Sequence, residues 1–532
     1  MPEENRTTGD KAKKPTCEVG KTFFAFITLI TLLFITSLIL KFYPLGVKGE
    51  WSWEYLSPGP DLFPLLFPAV LFLCLLAILR LFWKKRTEYS RRLRCGVLSC
   101  LVILALLFQF AVGAMGKIGT NEAIWVVIAP GASDYFGQSY KIEHLKQFLA
   151  DYPTYIRREF KGGEHISTHP PGMILYWWTL RKFFQTGPGL VLGKKLSGSF
   201  SYAFDLFHIP ATDRAAVLGG IFLMRLLAAL AVLPTYFLGR RFGGERGGII
   251  AAAFMVLLPG MSLFSPKFDA MLPLFSVGFF YFVISAADLR SNWAAFLAGL
   301  IFSASMLLTF ALLVVPFLLL VYWLLGRRLG GWAKMPRSKA ALSLGLGLSG
   351  FVLPLVLLFI FLELNSLTTW IAVYHQHAAT YAIKQWTYWK WVLYNPFEFA
   401  VFLGIPISAL FLHRLIFVSH RSLFDAQRGA TNGGRSTSAG LAWRADKTFL
   451  FSFILTILLL NFSGKSLSEV GRLWIFLMPF AIIIAVSGVR LTSTKQGVFF
   501  FLLTLQFIQV IFMKLYLKVL LVGQDLSILG SP

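Results

Sequence analysis

Glu164-His-Ile-Ser-Thr-His169-Pro170-Pro171-Gly172, running into the apolar stretch Met173 to Phe184, is the part of the chain whose reading decides the fold. The apolar stretch has about a dozen residues, whereas a helix that crosses a bilayer needs roughly 20. With proline at its first turn, the position helices favour for that residue, it reads as an interfacial or re-entrant helix. Counting it as a span would invert everything downstream. Arg240-Arg241 and the loops 327–339 and 414–447 would then lie outside, against the positive-inside rule. The polar loop it belongs to therefore stays whole, from about 116 to 219, and also carries Ser133-Asp134-Tyr135.

Composition sets the class around that loop. Hydrophobic residues make up 56% of the 532 positions and charged residues 14%, so the chain reads as an all-α polytopic membrane protein. Apolar runs fall at about 22–42, 62–83, 95–115, 220–239, 248–264, 269–287, 294–309, 311–326, 340–362, 397–413, 448–462, 472–489 and 496–522. That is roughly thirteen transmembrane helices, within about eleven to fourteen. The pair 294–309 and 311–326 could be one long or re-entrant element. With the N-terminus in the cytoplasm, the inside segments are far denser in Lys and Arg than the outside ones, and the opposite orientation reverses this. The expected setting is a multi-pass plasma-membrane protein with a cytoplasmic N-terminus and its functional loops on the outer face.

The net charge of +25 invites a nucleic-acid reading. However, Lys84-Lys85-Arg86 and Arg91-Arg92-Leu93-Arg94 sit beside helix ends, where they meet anionic lipid head groups, so no nucleic-acid partner is expected. None of the four cysteines (Cys17, Cys74, Cys95, Cys100) lies in an outer loop, which argues against a disulfide framework or a metal cluster. Thr22 to Phe42 is longer than a signal-peptide core and lacks a small-residue cleavage site, so it reads as an uncleaved span.

The organisation follows. Residues 1–21 form a polar cytoplasmic tail, 22–94 two additional N-terminal transmembrane helices, and 95–490 a transmembrane core. Residues 414–447, with Gly433-Gly434 among Ser, Thr and Arg, form a flexible cytoplasmic loop, and 491–532 hold a C-terminal transmembrane helix. Within the large outer loop, Ile142, Leu145, Phe148 and Leu149 have the spacing of an amphipathic helix lying on the membrane. No internal repeat is evident, and apart from Arg225 the spans read as nearly free of ionisable residues. Both points weigh against an ion-coupled transporter.

The unusual polar residues converge on one side. Asp134 and His169 lie in the large outer loop, Arg225 in the outer part of the fourth span, and Asp269 at the outer start of the sixth. His375 and His377 lie in an outer loop at 363–396, with Glu469 and Arg472 at the outer start of the twelfth span. Each also has a plain reading. Asp134 can cap a helix beginning near Tyr135, His169 can order the Pro-Pro turn, and Asp269 can pair with Lys267. Arg225 is costly if buried and should face a cavity or snorkel outward. His375 and His377, two apart, do not share a helix face, while Glu469 and Arg472, three apart, can pair with each other.

The chemistry that suits this set is sugar transfer from a lipid-linked donor. A polyprenyl-phosphate-linked sugar keeps its tail in the bilayer and its phosphate at the interface. Arg225 or Arg472 would bind that phosphate and stabilise it as it leaves. A carboxylate, best Asp134, would take the acceptor's proton. Aromatic residues of the outer loops (Tyr152, Tyr155, Trp370, Tyr374, Tyr381, Trp386, Tyr388, Trp389) suit sugar faces.

On these motifs the chain resembles the GT-C superfamily of integral-membrane glycosyltransferases, which includes the protein O-mannosyltransferases of family 39 and the aminoarabinose transferases. Ser133-Asp134-Tyr135 followed by Thr168-His169-Pro170-Pro171-Gly172 matches the superfamily's order of a catalytic Asp and a Pro-Pro segment. Arg225 with Gly239-Arg240-Arg241-Phe242-Gly243 resembles the next helix and its cytoplasmic end. Glu469-Val-Gly-Arg472-Leu-Trp474 resembles the late E-x-x-R-x-W segment of actinobacterial arabinosyl- and mannosyltransferases. The resemblance covers about 95–490. It implies a polyprenyl-phosphate sugar donor, a lipid, glycan or protein acceptor, and Asp134 as catalytic base, with His169, Arg225, Asp269, His375, His377, Glu469 and Arg472 as binding residues. Many relatives pair two acids in the first loop. Here Tyr135 follows Asp134 and Glu122 lies twelve residues upstream, so no cofactor is assigned and a divalent metal stays an open alternative. The competing reading is a transporter or flippase of lipid-linked saccharides.

Overall fold

The computed structural model describes residues 21–520 other than 43, 60–62, 85–89, 130, 161–164, 197–201, 290, 330–336, 384–385, 429–437 and 488–495. Apart from two short antiparallel ladders, Gly46–Val47 with Trp51–Ser52 and Glu54–Tyr55 with Leu517–Lys518, its regular elements are helices. Among the described residues, eight helical stretches are long and apolar enough to cross a membrane, or nine counting the bent pair Tyr388–Leu403 and Ile405–Val418. Their outer surfaces confirm the solvent. Only 6% of the apolar window in Ser338–Leu362 is buried, and Leu344, Phe359, Ile360 and Phe361 stand exposed. Such a surface is costly in water but matches acyl chains, which are as apolar as leucine. The chain is an all-α membrane protein.

One stretch, Ala211–Phe264, runs for 54 residues, about 80 Å of helix and far more than a bilayer is thick. It folds back at Gly244, whose φ of 71° and ψ of −175° suit glycine and strain other residues. The two legs touch closely: a Cβ on Gly248 would come within 2.7 Å of the Tyr236 carbonyl oxygen. Glu245 ties the turn together, bound by Arg240 at 2.9 Å, Arg94 at 2.8 Å and the Tyr236 hydroxyl at 2.5 Å. This is the turn expected at 240–247.

The second bend, of 117°, falls at Gly404 inside an apolar pair of helices. Breaking a helix there frees backbone groups that lipid cannot satisfy. Two glutamines of the helix Gln496–Tyr516 take them up. Gln506 Nε2 donates to the Leu403 carbonyl at 2.9 Å and Gln509 Nε2 to that of Val401 at 2.9 Å. Gln509 Oε1 accepts from the Ile405 amide at 2.8 Å. Gly404, with φ 104°, leaves no room for a side chain, because a Cβ would sit 2.0 Å from the Gln506 amide.

Three loop expectations are corrected. Most of the outer loop expected at 363–396 is helix, in Ser366–Ile383 and the start of Tyr388–Leu403. Histidines and threonines dilute the hydropathy of the first, yet it buries Thr369, Ala372, Val373 and Thr380 while Leu367, Ile371 and Tyr374 stay exposed. The amphipathic helix expected over 141–151 is broken. His144 is extended, and helices Leu145–Ala150 and Tyr152–Glu159 follow. Ile142 and Leu149 are buried in the protein rather than laid on the membrane, so their spacing serves tertiary packing. The helices Ile405–Arg428 and Ser438–Phe462 extend into the loop expected at 414–447, joined by a buried Arg414–Asp446 ion pair. Gly433-Gly434 and the tail 1–20 lie outside the described residues.

The helix expected after the Pro-Pro is present as Gly172–Phe184, with Pro171 at its N-cap position. Met173, Ile174 and Trp177 are buried, and the Tyr176 hydroxyl donates to the Gly220 carbonyl at 2.6 Å. The helix is thereby fixed against Ala211–Leu230. At the other end of the chain order, the segment between the first two helices docks onto the rest. Trp53 is buried, and Glu50 accepts from the Thr387 amide at 2.9 Å, Lys390 Nζ at 3.0 Å and Trp391 Nε1 at 2.8 Å. Burial pushes the Glu50 carboxyl up, but these hydrogen bonds outweigh it and hold its pKa at about 2.

Candidate functional site

The segment Ser463-Gly-Lys-Ser-Leu-Ser-Glu469-Val-Gly-Arg472 leaves the helix Ser438–Phe462 and turns sharply into a short helix, Val470–Leu473. Ser468 and Glu469 are both left-handed, with φ of 67° and 50°. For residues other than glycine each such conformation costs roughly 1–2 kcal/mol, so the surroundings must hold it. Glu469 takes the N-cap position, and its Oε2 lies 2.8 Å from Arg472 Nη2. Arg472 Nη1 lies 3.4 Å from Asp269 Oδ2, on the 3₁₀ turn Phe268–Met271. A buried guanidinium thus joins two chain segments that are 203 residues apart.

Arg472 stands between two spaces. The larger is a cavity of about 570 Å³. Its lining includes the polar residues Thr168, His169, His377, Lys465, Glu469 and Arg472. It also includes the apolar residues Phe310, Leu313, Val314, Phe317, Leu459 and Leu460. Tyr374 and Trp386 line it too. The smaller, about 20 Å³, holds roughly one water's volume and is walled by Ser133, Tyr135, Lys267, Asp269 and Arg472. Tyr135, His169 and Phe268 meet edge to face at 5.2 to 6.2 Å. The Tyr152 hydroxyl donates to the His169 carbonyl at 3.0 Å, and Thr168 Oγ1 lies 3.0 Å from His169 Nδ1.

The charges nearly cancel at the centre: Asp269 and Glu469 against Arg472 and Lys267. Enclosure among neighbouring side chains, with repulsion from Arg472, pulls Lys267 down to about 8 despite the two acids. Lys465, exposed at the rim, tips the balance toward an anion.

His169, His377, Glu469 and Arg472 therefore share one cavity, with Asp269 behind Arg472. His375 is exposed and does not line this space, as two-residue spacing on a helix requires. Asp134 lies beside the small chamber, between its wall residues Ser133 and Tyr135, but is itself in neither lining. It is half-buried and left-handed (φ 56°) and makes no capping bond to the short helix Tyr135–Gln138. Its Oδ2 accepts from Gln138 Nε2 at 2.6 Å, and Gln138 accepts in turn from the Tyr155 hydroxyl. Tyr152 and Tyr155 are buried in this loop rather than offered to a ligand.

Arg225 requires a correction. Instead of facing a cavity or reaching outward, it is buried, donating from Nε to Ser265 Oγ at 3.1 Å and lying 4.3 Å from the Phe110 ring centre. The aromatic face and a hydroxyl lodge the cation inside the bundle. Glu122, the other acid of the first loop, is taken by Lys514 at 2.5 Å. Among the described residues no three His, Cys, Asp or Glu side chains gather as a metal-ligand set.

The sequence reading named Lys267 only as a partner for Asp269 and missed Lys465, although it stands four residues from Glu469. It also passed over Glu398 and Lys514, ionisable residues inside apolar helices, where position alone was the signal. The view that the spans are nearly free of charge is corrected accordingly. Compared with known proteins, the chain matches no family model, no curated protein and no solved structure.

Proposed function

We propose that this chain is an integral-membrane glycosyltransferase of the GT-C type, moving a sugar from a polyprenyl-phosphate donor to an acceptor at the outer face of the plasma membrane. The observation that carries the reading is the mixed lining of the cavity. Its apolar residues suit an isoprenoid tail, and Lys465, Arg472, His169 and His377 suit a phosphate and a sugar. Arg472 is held in place by Glu469 and Asp269, and so is preorganised for charge that develops on the departing phosphate. Tyr374 and Trp386 offer ring faces to the sugar. Asp134 is the proton acceptor in this reading. What supports it is a half-open carboxylate oriented by Gln138 in a strained backbone conformation, as functional residues often are. The reading takes about thirteen crossings with the N-terminus inside, the Gly244 hairpin supplying two of them.

The test is release of polyprenyl phosphate from a panel of polyprenyl-phosphate sugars by the purified protein in lipid nanodiscs, with water or added sugars as acceptor. Release that disappears in Asp134→Asn supports the proposal. No release from any donor, with movement of the intact donor between leaflets of proteoliposomes, replaces it with the flippase reading.

A further inference from the structure

Beneath the strained turn that presents Glu469 and Arg472 lies a carboxyl group with no access to solvent. Glu398, on the helix Tyr388–Leu403, is 0% exposed. Its Oε1 accepts from the Gly471 amide at 3.4 Å and from Trp53 Nε1 at 3.0 Å, and the Val470 amide also bonds to the carboxyl. Its Oε2 has no hydrogen-bond partner among the described residues. An apolar residue of similar size would avoid the desolvation of an acid, so packing does not account for glutamate here. The two amides do. They are the first of the Val470–Leu473 helix, and an acceptor at that point fixes where the helix begins.

The rest of the arrangement leaves the turn no freedom. Gly471 presses on Phe402, where a Cβ would meet the ring at 2.2 Å. Trp53 packs on Phe264 and Phe402 with ring centres at 5.5 and 5.3 Å, so its N–H cannot swing to another acceptor. Trp53 comes from the segment between the first two helices, which otherwise stands apart from the cavity.

We infer that Glu398 is a positioning residue: held by Trp53, it pins the amides of Val470 and Gly471 and thereby sets the direction in which Glu469 and Arg472 enter the cavity. This rests on the proposed donor site and adds that the N-terminal segment belongs to that site's support. Glu398 touches neither donor nor acceptor. Removing its acceptor oxygen lets the Ser468-Glu469 turn relax from its left-handed conformation and moves Arg472 off the phosphate.

The experiment compares Glu398→Ala, Glu398→Gln and Trp53→Phe. Donor kinetics of Glu398→Ala should show KM raised tenfold or more, with a smaller change in kcat. Glu398→Gln keeps an acceptor oxygen and should restore KM to within about threefold. Trp53→Phe keeps an aromatic ring but loses the N–H and the five-membered ring that bears it; it should raise KM less, and add little on top of Glu398→Ala, because both act through one carboxyl group. A second readout needs no turnover. With the four native cysteines replaced by alanine, a Ser468→Cys thiol, buried in the cavity wall, should react several times faster with a small maleimide when Glu398→Ala is added. Equal labelling rates with and without Glu398→Ala overturn the inference, as does a KM in Glu398→Ala equal to that of the unaltered protein. Absence of any donor turnover in the unaltered protein strikes the proposed function instead, and the labelling still decides about Glu398.

Discussion

Arg472 allows the sharpest test, because the structure sets it between two carboxylates and the proposed reaction adds a phosphate. Its guanidinium and Asp269 are almost fully enclosed, at 8% and 5% exposure, and Glu469 is 24% exposed. Arg472→Gln takes this cation from both carboxylates and leaves Lys267 close to the two of them. Breaking a buried pair by removing one partner costs about 3–5 kcal/mol, and the partly open Glu469 puts this case at the lower end. Glu469→Gln with Arg472→Gln removes one charge of each sign and leaves Asp269 facing Lys267, so it should cost only about 1 kcal/mol. Arg472→Lys can meet one carboxylate and offers no planar pair of donors to a phosphate. Losing one charge-assisted hydrogen bond to the departing phosphate costs about 1.5–3 kcal/mol, or about 10- to 150-fold in kcat/KM. Thermal melting in nanodiscs and steady-state kinetics on the same preparations separate the two roles. The expected result is that the double variant recovers stability and not transfer. If the double variant transfers sugar like the unaltered protein, Arg472 is only a strut and the reasoning fails.

Asp134→Asn should lower transfer by about 10²–10⁴-fold, the range of general-base catalysis, with melting unchanged because Asp134 caps nothing; transfer within threefold of the unaltered protein refutes its role. For Lys267 the folded value of about 8 lies below the ordinary 10.5. The unfolded chain therefore binds the extra proton between these values, and stability should rise with pH from about 8 to 10.5 and be flat in Lys267→Met; melting curves across that window check it. Cysteines placed at Ser133 and Gln376 should react with an impermeant reagent from outside intact cells, and one at Thr431 should not. Labelling at Thr431 reverses the orientation.

Long apolar runs made the helices legible, and the dozen residues after Pro171 were correctly too short to read as a full span. What the sequence hid was context of another kind. Ser366–Ile383 carries too many histidines and threonines to read as an apolar helix, yet it buries Thr369, Ala372, Val373 and Thr380 against neighbours. Spacing in Ile142 to Leu149 spoke of an apolar face but not of what would cover it. At the site, the 469–472 pairing was readable because three residues apart on a helix is a contact, and Asp269 joined it only through folding. Arg225 looked functional because a buried cation is costly; nothing local announced that Phe110 and Ser265 would house it. Glu398 was visible as an acid in an apolar run, and its partners 345 residues before it and 73 after it were not.

The break at Gly404 has a consequence for how the protein is made. The glutamines that satisfy the Val401 and Leu403 carbonyls lie 108 and 103 residues later in the chain. A ribosome adding about 5–20 residues per second delivers them roughly 5–20 seconds after the break has left the tunnel. During that interval the Gly404 amide can still meet the Val401 carbonyl at 3.2 Å, but the Leu403 carbonyl and the Ile405 amide lack the glutamine side chains that bond them in the fold and must wait beside water or the insertion machinery. The helix Gln496–Tyr516 closes the account of hydrogen bonds for an element synthesised long before it. Premature stops between the two should thus leave an insertion intermediate for quality control to capture, rather than a slightly shortened protein.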